Sequence, residues 1–213
     1  MLSAFRSVCP SSRIVYTAGN HEDRIRKAQV ESLDESVGLH PANEPIGSPD
    51  VLSISRLLAL DELDIEYVGD YDTGWWLWDK VRVCHGTTVR NGGGATVAKV
   101  VSNADYSSVF GHIHRLELAQ RLVHGPDGMR TVTAMSPGTL ARIEPGIVPA
   151  ATKLVDWQQG VGMGLFDEKR NDAHMWLLPI YNGRLVFEGN IIEGVDRTEE
   201  IAEATGFMQM IRK

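Results

Sequence analysis

Three short polar motifs constrain what this chain can fold into more than any other feature of its sequence. They read Gly19-Asn20-His21-Glu22, Cys84-His85-Gly86 and Gly111-His112-Ile113-His114. Each motif comes where an apolar, strand-like segment gives way to a loop. Because loops at the ends of strands in layered α/β folds gather at one edge of a sheet, we expect the three motifs to lie close together.

The pattern around these motifs predicts a mixed α/β domain. Segment 95–102 has the apolar spacing of a helix that packs on a sheet, and Gly125-Pro126-Asp127-Gly128 is typical of a hairpin turn. Asp50 is the predicted N-cap of another helix, and 198–211 carries an apolar helical stripe. Strands are predicted over 13–17, 65–68, 75–85, 106–114, 118–123, 129–135, 164–166, 174–180 and 184–188. Residues 1–150 are the predicted core, and 151–213 add strands and a terminal helix to the same domain.

Composition indicates which classes of partner and which cellular compartment to expect. The 213 residues contain 21 Lys and Arg against 28 Asp and Glu, for a net charge of −7. This balance disfavours electrostatic binding to nucleic acid, although nucleic acid stays open as a partner. There is no apolar run of ~20 residues and no signal-peptide pattern, so we expect no membrane partner. The two cysteines cannot form a disulfide framework, which favours the reducing cytoplasm.

The histidines of these motifs favour a metal site. In an extended chain the side chains of His112 and His114 would lie on one face, and that of Ile113 would point to the core. By the same alternation the Cys84 side chain would point away from that of His85. Paired imidazoles, joined by another histidine and a carboxamide oxygen, suit Mn, Fe, Co or Zn. Taken singly, each motif also has a plain structural explanation, as a hydrogen-bonded strand-end histidine or a turn with a helix cap. Their joint occurrence favours the metal.

In this order the three motifs resemble the second half of the signature of calcineurin-like metallophosphoesterases. The turn Met135-Ser136-Pro137-Gly138-Thr139-Leu140 is similar to the Asn-Pro-Gly-Ser turn that often follows the signature in that family. The resemblance covers residues 13–140, and the chain also resembles phage-encoded members, which act in the host cytoplasm. It implies an α/β fold in which a layered β-sandwich is flanked by helices. It further implies hydrolysis of a phosphomonoester or phosphodiester by a hydroxide that two divalent metal ions activate.

The resemblance also implies a role for each site residue. Asn20, His85 and His112 would bind one metal ion, and His114 would contribute to the other. His21 would be the catalytic residue that contacts the phosphate and helps to protonate the leaving oxygen. Mn²⁺ is the expected metal, with Fe, Zn, Co and Ni as alternatives, and the expected partner is a phosphoester substrate.

The chain departs from the family pattern near its start. The family signature begins with Asp-x-His and Gly-Asp before Gly-Asn-His, and Met1–Ala18 contains neither Asp nor His. We therefore expect a chain that lacks the first βα units. The alternative is a degenerate, weakly active or inactive metal-binding or interaction protein. Asp70, Asp172 and His174 could substitute for the missing ligands, against plain interpretations as a turn and a surface strand.

Three weaker features have plain interpretations beside functional ones. The tryptophans at 75, 76 and 78 could stack on nucleobases, although packing is the commoner role of aromatic residues in strands. Asn91-Gly92-Gly93-Gly94 could approach a phosphate through backbone N–H groups, or be an ordinary turn. His40 and His124 are interpreted as a loop residue and a hairpin residue.

Overall fold

The computed structural model describes residues 1–70, 72–126, 128–143 and 156–194. They form a mixed α/β structure with several sheets and few helices, in agreement with the predicted class. None of the described helices is long and apolar enough to cross a membrane. The elements are α1 Leu2–Val8, β1 Ile14–Thr17, α2 Asn20–Ser32, a 3₁₀ turn Asp34–Ser36, α3 Ile54–Leu57, β2 Ile65–Val68, β3 Trp75–Leu77, β4 Val81–Cys84, α4 Ala95–Ser102, β5 Ser107–Phe110, β6 Leu116–Gly125, β7 Gly128–Pro137, β8 Gly160–Asp167, β9 Asp172–Pro179, β10 Arg184–Phe187 and β11 Asn190–Glu193.

A five-stranded sheet in the order β3-β4-β5-β7-β6 forms the centre of the described structure. Strands β4, β5 and β7 run parallel, and the edge strands β3 and β6 are antiparallel to their neighbours. Cys84 at the end of β4 pairs with Phe110 at the end of β5. The motifs that begin at His85 and Gly111 therefore leave the sheet side by side.

Both faces of this sheet are covered. On one face Val97 and Val101, four residues apart on α4, pack against Phe110, Val132 and Ala134 of the sheet. On the other face the antiparallel hairpin of β8 and β9 supplies further apolar side chains. Its Met175 is buried in a cluster with Val81 and Met135, and these two clusters form the core that fixes the strand ends.

Strands β1 and β2 form a separate parallel pair, with Thr17 opposite Val68. The pairing continues one residue further, because the Ala18 N–H donates to the Val68 carbonyl at 2.8 Å. The polar segment after β1 forms α2, which begins at Asn20 with Gly19 as its N-cap. The Gly-Asn-His-Glu motif therefore spans the junction between β1 and α2, and its position is fixed by the strand on one side and by the helix on the other.

Several predicted elements are confirmed, whereas one predicted strand and one predicted cap are wrong. The segment 75–85, predicted as one strand, forms the antiparallel strands β3 and β4, with left-handed φ angles at Trp78 and Asp79 in the turn between them. Strand β2 and helix α4 have the predicted bounds, and β6 and β7 form the predicted hairpin. The cap of α3 is Ser53, whose hydroxyl accepts from the Arg56 N–H, and the Asp50 carboxylate instead accepts from the Gly38 N–H. The predicted helix 198–211 lies outside the described residues, and the division of the domain at residue 150 stays a prediction.

Candidate metal centre

Two histidine rings from different motifs are joined by a hydrogen bond. Nε2 of His85 lies 3.0 Å from Nδ1 of His112, and the ring planes meet at 72°. The two residues follow the paired ends of β4 and β5, so the parallel register of these strands accounts for their approach. The structure therefore brings together two histidines that are 27 positions apart in the sequence.

The Gly-Asn-His-Glu motif lies against the same rings. A Cβ atom at Gly19 would lie 2.8 Å from Nδ1 of His85, so only glycine fits this approach without displacing the ring. Gly111 lies on the other side, where a Cβ atom would be 3.8 Å from the same nitrogen. All three motifs thus meet at His85, as the sequence predicts, and Asn20 and His21 follow Gly19 directly in the first turn of α2.

The backbone at His112 and His114 differs from the expected extended chain. Both residues have left-handed φ angles, +67° at His112 and +57° at His114. The Ile113 N–H donates to the Gly111 carbonyl at 2.7 Å, which closes a γ-turn centred on His112, a strained turn at positive φ. The prediction of a period-two alternation here is therefore wrong. Ile113 is nevertheless buried in the core as expected, and Cys84 packs against the same core cluster.

His114 is held by contacts that no sequence motif indicates. Its ring packs edge-on against Trp157 with the ring centroids 4.1 Å apart, and its carbonyl accepts from the Gln158 N–H at 2.9 Å. Its Nδ1 atom is buried and has no hydrogen-bond partner among the described residues. A buried ring nitrogen without a partner costs about 1–3 kcal/mol, and a bound ion or substrate group would remove that cost.

The segment at Trp157 also fixes the turn that follows β7. The Gln158 carbonyl accepts from the Thr139 N–H at 2.9 Å, and a Cβ at Gly138 would lie 2.3 Å from that same oxygen. Gly138 has φ of +79°, so the turn needs glycine for its conformation and for the close approach. Gln158 therefore joins the Met135–Leu140 turn to the loop that carries His114.

The electrostatic surroundings of His85 and His114 favour the neutral form of these two imidazoles. Burial, followed by the proximity of His112, lowers the pKa of His85 below its usual value. Burial is also the largest cause that lowers the pKa of His114, and the nearby His112 and His21 lower it further. His21 therefore lies near enough to act on both rings. Neutral imidazole is the form that binds a metal ion.

Glu22 is the carboxylate of the first motif, and it is fixed in place. Its carboxylate accepts from the Tyr16 hydroxyl and from the Gly19 N–H, each at 2.8 Å. Burial opposes its ionisation, but the Tyr16 and backbone hydrogen bonds outweigh burial and lower the pKa of Glu22. Its negative charge acts in turn on His85, whose pKa it raises against the larger effect of burial. Glu22 thus holds Gly19 against the ring and supplies the nearby negative charge.

Next to His114 in the sequence lies a buried ion-pair network that the sequence did not predict. The Arg115 guanidinium donates to the Glu117 carboxylate at 2.6 Å, to Asp156 at 2.9 Å and to the Thr96 hydroxyl at 2.9 Å. Arg115 is 7% exposed and Glu117 is 5% exposed. The network joins β6, the start of α4 and the segment that carries Trp157. An alternating charged pair in a strand usually indicates an exposed face, so the sequence offered no signal for this burial.

The 3.0 Å contact of the His85 and His112 nitrogens is the length of a hydrogen bond between the rings, and it also matches the spacing of two ligands of one divalent ion. Two imidazole nitrogens that bind one ion at ~2.1 Å and at a right angle lie about 3.0 Å apart, which is the observed separation of the His85 and His112 nitrogens. In the part of the chain that the structure describes, no three His, Cys, Asp or Glu side chains are grouped to hold a metal ion. The motif residue that could supply a third ligand is Asn20, through its carboxamide oxygen, since it follows Gly19 directly in α2.

The possible substitute ligands are used elsewhere. Asp70 follows β2, where its carboxylate accepts from the Asp72 and Thr73 N–H groups and from the Thr73 hydroxyl, so it closes a turn. Asp172 and His174 lie at the start of β9, whereas the other end of that hairpin, at Gly160, adjoins the Thr139 turn. The structure does not bring Asp172 and His174 to the histidine cluster.

Comparison of the chain with models of known protein families, with curated proteins and with solved structures finds no match. The class defined by the structure itself is a mixed α/β protein in which three strand-end motifs meet at His85.

Proposed function

We propose that this protein is a metal-dependent phosphoesterase of the calcineurin-like class, which hydrolyses a phosphomonoester or a phosphodiester. One observation carries the proposal. The motifs that resemble the family signature meet in space, with Nε2 of His85 3.0 Å from Nδ1 of His112 and with Gly19 packed on His85. Histidines that converge from separate strand ends are a typical arrangement of a metal-dependent active site.

Each residue then has a proposed role. His85 and His112, with the Asn20 carboxamide, hold one divalent ion, with Mn²⁺ as the first choice. His114 contributes its buried, unpartnered Nδ1 to a second ion or to the substrate. His21 is more exposed than these residues, and it contacts the phosphate and donates a proton to the leaving oxygen. When bound, the metal supplies positive charge that polarises the phosphoryl group.

The proposal also includes the type of fold and the cellular location. The covering of the central sheet by α4 on one face and by the β8–β9 hairpin on the other supports a layered sandwich of the calcineurin-like type. We further propose a cytoplasmic protein, from a phage in the host cytoplasm, with a phosphoester as its partner. These assignments rest on the resemblance and on the two free cysteines.

A second candidate is a degenerate, non-catalytic metal-binding protein on the same fold. One observation favours it. Among the described residues the histidine cluster has no grouped carboxylates, and the only nearby acid, Glu22, is engaged with Tyr16 and Gly19. Such a protein would bind at most one ion, and two tightly bound ions per chain would exclude it.

Chelation tests the hydrolase directly. We expect the purified 213-residue protein to hydrolyse bis(4-nitrophenyl) phosphate in the presence of Mn²⁺. EDTA should abolish the release of 4-nitrophenol, and excess Mn²⁺ should restore it, because the phosphoryl group is polarised only when the ion is bound. Hydrolysis that continues unchanged after EDTA treatment and gel filtration would contradict the proposal.

A further inference from the structure

Gly19, which packs on the His85 ring, lies just beyond the last backbone pairing of β1 with β2. That pairing ends at Ala18, whose N–H donates to the Val68 carbonyl at 2.8 Å. The next N–H along the chain, that of Gly19, donates instead to the Glu22 carboxylate at 2.8 Å. The Glu22 side chain therefore fixes the Gly19 N–H at the point where the sheet no longer does.

The Glu22 carboxylate is itself fixed by a tyrosine of β1. The Tyr16 hydroxyl donates to Oε1 of Glu22 and the Gly19 N–H donates to Oε2, each at 2.8 Å. Each carboxylate oxygen thus has its own donor, and the carboxylate cannot turn without losing one of the two hydrogen bonds. Burial, followed by the hydrogen bond to Glu22, raises the pKa of Tyr16, so the hydroxyl keeps its proton and remains a donor at neutral pH.

The position of Gly19 limits in turn where the His85 ring can lie. A Cβ atom at Gly19 would be 2.8 Å from Nδ1 of His85 and 3.0 Å from its Cε1, so the glycine backbone and the ring are in close contact. The other ring nitrogen, Nε2, faces Nδ1 of His112. A shift of Gly19 away from the ring would let the ring turn, and Nε2 would leave its place opposite His112.

The same contacts connect two separate sheets. Tyr16 belongs to the β1–β2 pair, whereas His85 follows β4 of the central sheet. Among the described residues no backbone ladder joins these two sheets, so contacts such as that of Gly19 with His85 set their relative position at the site. A hydroxyl on β1 is therefore linked, through Glu22 and Gly19, to a ring at the edge of the other sheet.

We propose that Tyr16 is a positioning residue of the metal centre. Its hydroxyl orients the Glu22 carboxylate, which fixes Gly19 in place. Gly19 in turn keeps Nε2 of the His85 ring directed at the ion. This role rests on the proposed function, because it requires that His85 binds a metal ion. Residues that orient a metal ligand without binding the ion contribute about 10- to 100-fold to metal affinity or activity.

Mn²⁺ binding by the full-length variants Tyr16→Phe and Tyr67→Phe, followed by electron paramagnetic resonance, tests this role. Tyr67 is the matched control, because it lies opposite Tyr16 in the register of β1 and β2 with the ring centroids 6.1 Å apart. It is the Tyr16 hydroxyl, however, that donates to Glu22. We expect Tyr16→Phe to weaken Mn²⁺ binding at least about tenfold, and Tyr67→Phe to stay within about twofold of the wild type.

Two further measurements distinguish positioning from a general loss of stability. Because Tyr16 acts through Glu22, Tyr16→Phe should weaken Mn²⁺ binding in the wild-type background and have no effect in the Glu22→Ala background. In the metal-free protein, the ring resonances of His85 in the NMR spectrum should shift in Tyr16→Phe and stay in place in Tyr67→Phe. Both phenylalanine variants should melt within about 4 °C of the wild type, since each loses one hydroxyl at most.

The outcomes separate this role from the proposed function. Wild-type Mn²⁺ affinity in Tyr16→Phe, while the wild type hydrolyses the phosphodiester, would overturn the role of Tyr16 and leave the proposed function in place. An equal loss of affinity in Tyr67→Phe, or an undiminished effect of Tyr16→Phe in the Glu22→Ala background, would also overturn it. A wild type that binds no Mn²⁺ would overturn the proposed function and the role of Tyr16 together.

Discussion

The double substitution His85→Ala with His112→Ala is expected to reduce Mn²⁺-dependent hydrolysis of bis(4-nitrophenyl) phosphate at least about 100-fold. Loss of a residue that merely orients a metal ligand already costs 10- to 100-fold, and this variant removes two ligands themselves. The nearest nitrogens of the two rings lie 3.0 Å apart, so in the proposed site they hold the same ion and are changed together. Initial rates at saturating Mn²⁺ measure the effect.

The pair His40→Ala with His124→Ala is the matched control for this experiment. It also removes two imidazoles, but both lie outside the cluster. His40 is in a loop, where it faces Asp50, and His124 is at the exposed end of β6. We expect this control to keep the wild-type rate within about twofold. Equal rates for the two double variants would show that the cluster does not carry the activity.

Arg115→Met is expected to lower the free energy of unfolding by about 3–5 kcal/mol. The substitution keeps the length of the side chain but leaves the Glu117 carboxylate, 5% exposed, without its cation. It also releases Asp156, which precedes the Trp157 ring that packs on His114. Urea denaturation followed by tryptophan fluorescence measures the loss.

Two further variants distinguish the loss of this buried ion pair from the general effect of removing an arginine. Arg170→Met removes an exposed ion pair with Asp167 and should leave the midpoint of urea denaturation close to that of the wild type. The double variant Arg115→Met with Glu117→Leu removes both buried charges, and it should recover part of the lost stability. An Arg115→Met protein as stable as the wild type would contradict the buried network.

The sequence predicts best those features that depend on neighbouring residues. Segment Ile65–Val68 is a short apolar run with clear limits, and Ala95–Ser102 begins after three glycines, so both bounds follow from local pattern. The hairpin of β6 and β7 follows from turn residues in the same way. The approach of the second and third motifs was predictable because β4 and β5 are parallel neighbours whose ends lie at one edge of the sheet. The first motif follows β1, in the separate β1–β2 pair, so its contact with His85 depends on how the two sheets pack.

The remaining features depend on contacts that are distant in sequence. Trp157 reaches His114, and Asp156 reaches Arg115 across 41 positions, and no periodicity encodes either contact. The γ-turn at His112 replaced the expected extended chain, because a period-two pattern of three residues cannot distinguish a strand from a strained turn. Ser53 took the cap expected of Asp50, since either residue type can cap a helix and the tertiary structure selects between them.

Direct measurement of Mn²⁺ binding tests the metal centre most closely. The protein is purified, freed of metal with EDTA and titrated with Mn²⁺, and free ion is followed by electron paramagnetic resonance. We predict at least one tightly bound Mn²⁺ per chain in the wild type and in the His40→Ala, His124→Ala control, and its loss in the His85→Ala, His112→Ala variant. A wild type that binds no Mn²⁺ tightly, or a His85→Ala, His112→Ala variant that binds as much, would contradict the metal centre.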